Sequence, residues 1–247
     1  MPQRYQKQRE DVNGEEFSMA KQWRGWGAGV VVALVGAVMA VPADAQPVNV
    51  SIGASTLGLG VQVSTALIPG TLDLAVGINH LSESRAGTYT SSNNSIPYHA
   101  TLRLQTIPVL LNYYPFAGVF RITGGAMVNE NRVTAYSFDP TGTYVINGTS
   151  YPGAEVGTFA GKMSYRRIAP YLGIGWGSKA ARHSGFSMGF DVGVLFTGSP
   201  NVQLSASNPT GNPALASDVA AAQASANSRA SSYKLWPVIG LRLGYDF

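Results

Sequence analysis

Residues 235–247 read LWPVIGLRLGYDF, and this stretch carries the clearest fold signal in the chain. Large apolar side chains alternate with glycine or charged residues, which is typical of a β-strand whose two faces meet different surroundings. One face would carry Leu235, Ile239, Leu241, Leu243, Tyr245 and Phe247. The other face would carry Gly240, Arg242, Gly244 and Asp246.

The same period of two recurs along the chain and predicts further strands at about 56–67, 72–82, 98–114, 120–135, 160–177 and 186–197. A soluble β-sandwich also alternates, but its second face is polar and solvated. Here the second face is small and glycine-rich, with isolated charges near mid-strand. Large aliphatic residues outside and small or polar residues inside are the pattern of a transmembrane barrel. The sequence therefore predicts an all-β fold, a closed antiparallel transmembrane β-barrel.

Seven strands are clear, whereas single-chain bacterial barrels have an even number. Residues 48–55 would supply an eighth strand, and a strand within 143–156 is the alternative. We favour eight strands. Short links at 68–71, 115–119 and 178–185 should face the periplasm, and the long polar segments 83–97, 134–157 and 198–232 should lie outside. The Ala/Ser-rich stretch 212–232 suits a poor helix or a flexible loop.

The N-terminal segment is typical of an export signal. Residues 27–41 are apolar, follow Lys21 and Arg24, and precede Ala43-Asp44-Ala45. A basic start, a short apolar core and an A-x-A site define a secretory signal peptide. The run is too short for a membrane-spanning helix, which needs about 20 residues. We expect residues 1–45 to be an N-terminal extension plus cleaved signal, with Met19 as the true start, and 46–247 to form the barrel domain.

Several segments resemble the small outer-membrane β-barrel proteins of Gram-negative bacteria, the group that includes OmpA-, OmpX- and OmpW-like barrels. They are LLNYYPFAGVFRITGGAMVNEN at 110–131, APYLGIGWG at 169–177, GFSMGFDVGVLF at 185–196 and GLRLGYDF at 240–247. The middle segments look like those of an uncharacterised family in this group. The resemblance implies export by the Sec route and a place in the bacterial outer membrane. It also implies contact with outer-membrane lipid and lipopolysaccharide, and assembly by periplasmic chaperones and the barrel-assembly machinery.

Aromatic residues fall where interface girdles are expected. We expect Tyr113, Tyr114, Trp176 and Trp236 to belong to such a girdle. By resemblance to the group, Tyr245 and Phe247 would form the terminal signal read during assembly.

Charged residues on the predicted inner face are the candidate functional residues. They are Asp73, Arg103, Arg121, Asp191 and Arg242. The interior of an eight-stranded barrel is just wide enough to be filled by side chains. Unpaired charges there are costly, so these residues should form a salt-bridged network that rigidifies the barrel. The alternative is a narrow polar pore, which the many inward glycines favour because they leave space in the interior.

The sequence carries no catalytic signature, and we expect no enzyme activity. His80 and His99 with Ser82, Glu83 and Ser84 could form a nucleophile–base set in a lipid A-modifying barrel enzyme, the least favoured alternative. Three histidines and no cysteine argue against a metal site, no cofactor motif is present, and a net charge of +4 gives no nucleic-acid footprint. The prediction is a barrel with a structural or surface-interaction role, or a narrow channel for small or hydrophobic solutes.

Overall fold

The computed structural model describes residues 47–91, 94–116, 118–177 and 185–247. The predicted extension and signal peptide at 1–45 lie outside the described residues, as does most of the link at 178–185. The described elements, in chain order, are β1 (Val48–Ser55), β2 (Gly58–Ile68), β3 (Leu72–Ser91), β4 (Asn94–Tyr113), β5 (Phe120–Asn129), β6 (Arg132–Phe138), β7 (Thr143–Ile146), β8 (Thr149–Pro152), α1 (Gly153–Val156), β9 (Thr158–Ser164), β10 (Ile168–Gly177), β11 (Gly185–Phe196), β12 (Asn201–Ala206), α2 (Pro213–Ala230) and β13 (Leu235–Asp246).

Eight antiparallel strands close into a barrel in the order β1-β2-β3-β4-β5-β10-β11-β13. Strand β1 closes the ring by pairing with β13, with Val50 opposite Tyr245 and Ser55 opposite Gly240. The prediction of eight strands is confirmed, and Val48–Ser55 supplies the eighth. The alternative within 143–156 is wrong, because those residues form the separate hairpin β7–β8 and the single-turn helix α1.

Alternation along the strands separates an apolar outer surface from the interior. On β2, Leu59 and Val61 are 65% and 48% exposed, and Leu243 on β13 is 61% exposed. Such a belt of exposed aliphatic side chains is unfavourable in water and is the expected outer surface of a barrel in lipid. Leu57 lies in the tight β1–β2 turn, points inward and is 1% exposed.

Part of the barrel wall continues outward as a five-stranded sheet, β3-β4-β6-β9-β12. Strand β4 makes this possible by changing partner, since residues 106–113 pair with β5 whereas residues 99–103 pair with β6. Asn131 lies at the change, where its Oδ1 accepts from the Gln105 backbone N–H at 2.8 Å. The Asn131 side-chain amide thereby satisfies a backbone donor where the β4–β5 ladder ends. The segments that were expected to be long loops are largely folded.

An external cap packs on this protruding sheet. Hairpin β7–β8 turns through Asn147 and Gly148, both at positive φ (51° and 86°), which suits a tight two-residue turn. Hairpin, α1 and α2 bury one apolar cluster, whose buried members are Tyr144, Ile146, Tyr151, Val156, Leu215 and Val219. Register places the contacting sheet residues Ile96, Phe159 and Leu204 on the face that continues the barrel interior.

The Ala/Ser-rich stretch forms the 18-residue helix α2, and its ends and neighbours explain why. Pro213 occupies the first turn and the Asn212 side chain caps it by accepting from Ala214 N at 2.8 Å. Asn227 accepts from Val202 N and donates to Val202 O, each at 2.8 Å, and Gln223 accepts from Leu204 N at 2.8 Å. The helix thereby satisfies backbone groups on β12, the edge strand of the sheet. Neither described helix is long and apolar enough to cross a membrane.

Candidate functional site

The barrel interior holds a layer of paired charges built from three strands. Asp191 on β11 accepts from Arg121 Nη2 on β5 at 2.5 Å, and its other oxygen accepts from Arg242 Nη2 on β13. Arg242 also donates from Nη1 to Gln62 Oε1 on β2. Side-chain exposure is 6% for Arg121, 7% for Asp191 and 22% for Arg242. One carboxylate thus neutralises one of two arginines and joins β5, β11 and β13 through the interior.

Glycine at position 175 makes room for this layer. A Cβ at Gly175 would lie 2.5 Å from Asp191 Oδ1 and 2.9 Å from Arg121 Nε. Both distances are shorter than van der Waals contact, so any larger residue would displace the ion pair. The inward glycine is therefore a packing requirement of the charged layer rather than empty pore space.

A polar layer lies on the side of the charges that faces the start of β1 and the end of β13. Asn49 donates to Ser187 Oγ at 2.7 Å and to Asp246 Oδ1 at 2.9 Å, joining β1, β11 and β13. Asp73 is 2% exposed, and Tyr114, 3% exposed, interacts with both Asp73 and Arg121. Asp73 therefore lies inside the barrel but does not contact Asp191 or Arg242 through a described ion pair.

An apolar layer closes the interior on the opposite side of the charges, toward the protruding sheet. Its buried members are Leu57, Ala75, Leu110, Met127, Ala169, Tyr171, Leu195 and Val238. The Tyr171 ring lies over two glycines: a Cβ at Gly173 would come within 2.5 Å of its hydroxyl oxygen, and one at Gly193 would also collide with it. The Tyr171 ring lies across the interior over Gly173 and Gly193, because glycine leaves no side chain in its way at these two positions.

Between the charged and apolar layers the described side chains leave a cavity of about 60 Å³, bordered by Gln62, Asp191, Arg242, Tyr171 and Leu110. A second cavity of about 30 Å³ lies in the polar layer near Asn49 and Tyr114. Cavities of this size hold a few water molecules.

Arg103 does not belong to the charged layer, so the prediction that it faces inward is wrong. It shares the strand parity of Val109, Leu111 and Tyr113, which are all 44–46% exposed on the outer surface. It pairs with Arg132 of β6 in the protruding sheet, above the region where β4 contacts β5. The same parity could have been read from the sequence.

Two of the four predicted girdle residues point outward and two do not. Tyr113 and Trp176 are 46% and 42% exposed on the outer surface. Tyr114 and Trp236 are misassigned: Tyr114 is buried in the polar layer, and Trp236 packs against the apolar layer and lies edge-on to Tyr165 at 5.9 Å. Strand alternation places both side chains inside: Tyr114 is on the same face as Asn112, and Trp236 is on the same face as Arg242.

The predicted assembly residues lie together at the C-terminal end of β13. The rings of Tyr245 and Phe247 have centroids 5.0 Å apart, and Tyr245 contacts Phe186 at 5.5 Å. A second aromatic row lies on the outer surface at this end, in which the predicted girdle residue Trp176 contacts Phe120 and Phe190, and Phe120 contacts Phe116.

The histidines considered as catalytic bases are far apart. His80 lies opposite Gln105, six residues along β4 from His99, which is a separation of about 20 Å. His99 stacks on Tyr136 at 5.1 Å, and Ser84 bonds to Thr101 at 3.0 Å rather than to a histidine. The described residues form no group of three or more His, Cys, Asp or Glu side chains that could hold a metal ion.

Fold and interior define a class, a closed eight-stranded transmembrane β-barrel with a filled lumen and an external cap. Two solved structures are similar to this chain in fold, CarO2 and CarO of Acinetobacter baumannii. CarO2 is 20% identical with a TM-score of 0.52, and CarO is 22% identical with a TM-score of 0.50. Each comparison covers 81% of this chain and 98% of the other. At this identity the likeness concerns the fold.

No family model matches the chain, and no curated protein matches it. The grouping with OmpA-, OmpX- and OmpW-like barrels stays a prediction.

Proposed function

We propose that this protein is an integral barrel of a bacterial outer membrane that conducts no solute and acts through the cap it holds outside the membrane. The barrel is the anchor, and the working surface is the protruding sheet with hairpin β7–β8 and helix α2. A structural or surface-interaction role follows. The proposal includes delivery by the Sec route and periplasmic chaperones, and insertion by the barrel-assembly machinery through Tyr245 and Phe247.

The filled lumen is the observation that carries this proposal. Arg121, Asp191 and Arg242 cross the interior as a bonded triad. The apolar layer around Tyr171 and Leu110 lies directly outside it. An ion crossing this barrel would have to separate buried charge pairs and then shed its water among apolar side chains, and both steps are costly.

A narrow channel is the second candidate, favoured by the cavity of about 60 Å³ beside Asp191 and Arg242. We place the channel second because the charged layer beside the cavity is held by ion pairs and the apolar layer on its other side is closely packed.

A lipid A-modifying enzyme has the least support. Its candidate groups, His80 and His99, lie about 20 Å apart along the sheet. We therefore propose a non-enzymatic role that requires no cofactor.

Two measurements test the proposal. Membrane fractionation with surface proteolysis should find the protein in the outer membrane with the cap exposed, and recovery in the inner membrane or cytoplasm would refute the location. Liposomes containing the refolded protein should not swell in small sugars or amino acids. Swelling at the rate given by a general porin would refute the closed scaffold and support the channel.

A further inference from the structure

Strand β3 has a partner on only one side along its outer half. Pairing with β2 ends where Leu59 lies opposite His80, whereas pairing with β4 continues in one register to the hairpin tip. Residues 82–90, SESRAGTYT, therefore form an edge of the protruding sheet that no strand in the described part of the chain covers. This segment is here named the open edge, and all of its residues except Gly87 are exposed.

Alternate residues of the open edge direct their backbone N–H and C=O groups away from the sheet. On β4, Gln105 N–H donates to Asn131 Oδ1 and Gln105 C=O accepts from Glu130 N–H, so the backbone groups of Gln105 point away from β3. Because backbone groups alternate in direction along a strand, the even-numbered residues of β4 bond to β3. Their partners in the observed register are the odd-numbered residues of β3. The outward-directed donors and acceptors therefore belong to Ser82, Ser84, Ala86, Thr88 and Thr90.

Nothing within the open edge blocks pairing with a further strand. Natural edge strands are protected by proline, lysine, a bulge or a covering element, because a free row of donors and acceptors recruits other chains. Residues 82–90 contain neither proline nor lysine, and their ladder with β4 has no bulge. The Ser84 hydroxyl bonds to Thr101 at 3.0 Å on β4, so this side chain does not cover the edge. The opposite edge of the same sheet, β12, is instead covered by Asn227 and Gln223 of α2.

Two opposite charges on one face of the open edge distinguish the direction of an added strand. Glu83 and Arg85 lie two residues apart and project to the same face, and neither forms an ion pair in the described part of the chain. Directly opposed residues of opposite charge stabilise an antiparallel pair, and like charges destabilise it. An antiparallel strand passes Arg85 before Glu83, so it matches them with an acidic residue followed two positions later by a basic one. Tyr89, further along the same face, is 63% exposed and offers an apolar contact.

A second copy of this chain does not fit the open edge. Strands of such barrels tilt by about 40° from the membrane normal. Two copies in one membrane are related by rotation about that normal, so their β3 strands would both run outward and would cross at about 80°. Crossed strands cannot form a ladder. The occupant is therefore a segment of another polypeptide.

We propose that the open edge binds an extended segment of another polypeptide, which adds an antiparallel strand to the protruding sheet. The segment carries an acidic residue opposite Arg85 and a basic residue opposite Glu83. In strand addition of this kind the main-chain hydrogen bonds supply the affinity, and the side chains along the edge supply the specificity. This inference rests on the surface-interaction role proposed above and deepens it, because it names the surface and the kind of partner.

Fluorescence polarisation tests the site with the refolded full chain in detergent micelles and a labelled peptide that matches residues 82–90 in length. The peptide alternates threonine and valine, and places glutamate opposite Arg85 and lysine opposite Glu83. A control peptide exchanges these two residues. Each cross-strand charge pair changes affinity by up to about fivefold, so the matched peptide should bind saturably and at least about fivefold more tightly than the control. Equal affinities would overturn the charge-matched antiparallel strand, and binding of neither peptide would overturn the site.

Ala86→Pro tests the backbone contribution. The Ala86 N–H points away from β4, so proline at this position leaves the β3–β4 ladder intact. Ala86→Ser keeps the N–H and is the matched control. Peptide binding should weaken at least about fivefold in Ala86→Pro and change less than about twofold in Ala86→Ser. Equal binding by the two variants would contradict pairing at the open edge. Heat-modifiable gel mobility confirms that each variant is folded.

Hydrogen exchange measured by NMR on the wild-type protein tests the open edge without any substitution. The even-numbered amides from 82 to 90 should exchange fast and become protected by the matched peptide, whereas the odd-numbered amides between them should exchange slowly throughout. Slow exchange of the even-numbered amides without peptide would show a covered edge and overturn the inference. A dimer in light scattering that Ala86→Pro dissociates would assign the edge to a second copy instead. Fractionation tests the location separately, so an outer-membrane protein that binds neither peptide contradicts this inference alone.

Discussion

Arg121 donates from Nη2 to Asp191 Oδ1 at 2.5 Å inside the barrel, and both side chains are almost fully buried. Asp191 faces Arg242 with its other oxygen, so this single carboxylate holds two arginines. Removing it would leave two buried cations, whereas removing either arginine would leave a neutral pair.

Asp191→Asn should therefore be strongly destabilising. Breaking a buried ion pair from one side costs about 3–5 kcal/mol, because the partner charges stay buried without compensation. Urea unfolding of the barrel in lipid bilayers, followed by tryptophan fluorescence, measures the free energy of unfolding. Glu83→Gln removes the same charge from an exposed strand position and should change it by less than about 1 kcal/mol. Equal effects of the two substitutions would contradict the role given to Asp191.

Gly175→Ala should disturb the same layer by collision. The added Cβ would lie 2.5 Å from Asp191 Oδ1, and overpacking of this kind costs about 1–3 kcal/mol. Gly124→Ala on the neighbouring strand β5 is the control, since a Cβ there meets nothing within 4 Å. The same unfolding assay should show a clear loss for the first variant and little change for the second; the reverse order would refute the packing argument.

Asn227→Ala should loosen the cap without affecting the barrel. The substitution leaves the Val202 N–H and C=O of edge strand β12 without their side-chain partner, at a cost of about 1–3 kcal/mol. Hydrogen exchange at residues 201–206 should accelerate while exchange in β13 stays slow. Ser225→Ala, on an exposed position of the same helix, should leave both unchanged. Protection of β12 that persists in Asn227→Ala would show that the helix does not hold this edge.

Acid should release helix α2 from hairpin β7–β8. Asp218 accepts from the Tyr151 hydroxyl at 2.7 Å and from Asn147 Nδ2 at 3.1 Å, and these hydrogen bonds lower the pKa of the Asp218 carboxyl. A lowered pKa in the folded state means that the stabilisation is complete above the unfolded value of about 3.9 and is lost as the pH falls through the folded pKa.

The same contact raises the pKa of Tyr151, because the neutral hydroxyl donates to Asp218. That contribution is complete below about pH 10 and is lost as the pH rises through the raised value. Proteolysis of the cap as a function of pH should show most protection between these limits. Asp218→Asn should abolish the acid limb, and an unchanged acid limb in that variant would contradict the assignment.

Strand alternation was enough to predict the closed barrel and seven of its strands, because each strand must separate lipid from the interior. The eighth strand was expected from the even strand number of single-chain barrels, and Val48–Ser55 supplies it. The same parity also contains the correct directions of Arg103, Tyr114 and Trp236, which were assigned wrongly from the sequence. Aromatic and charged residues occur on both faces of a barrel wall, so register decides where they point and chemistry does not.

Other features could not be predicted from local pattern. The break between β5 and β6 depends on Asn131 bonding to Gln105, which lies 26 residues earlier. Helix α2 is weakly amphipathic, and it is held by side-chain amides that recognise the backbone of a strand distant in sequence. The order of polar, charged and apolar layers arises only when eight strands are set in register.

Electrical recording across a planar bilayer tests the closed lumen most directly. The refolded wild-type protein should give no current steps above background, with a general porin in the same membrane as the positive control. Leu110→Ala/Tyr171→Ala/Arg242→Ala thins the apolar layer and frees one side of Asp191, and this variant should conduct. Stable wild-type steps of the size seen in that variant would contradict the account and establish a channel.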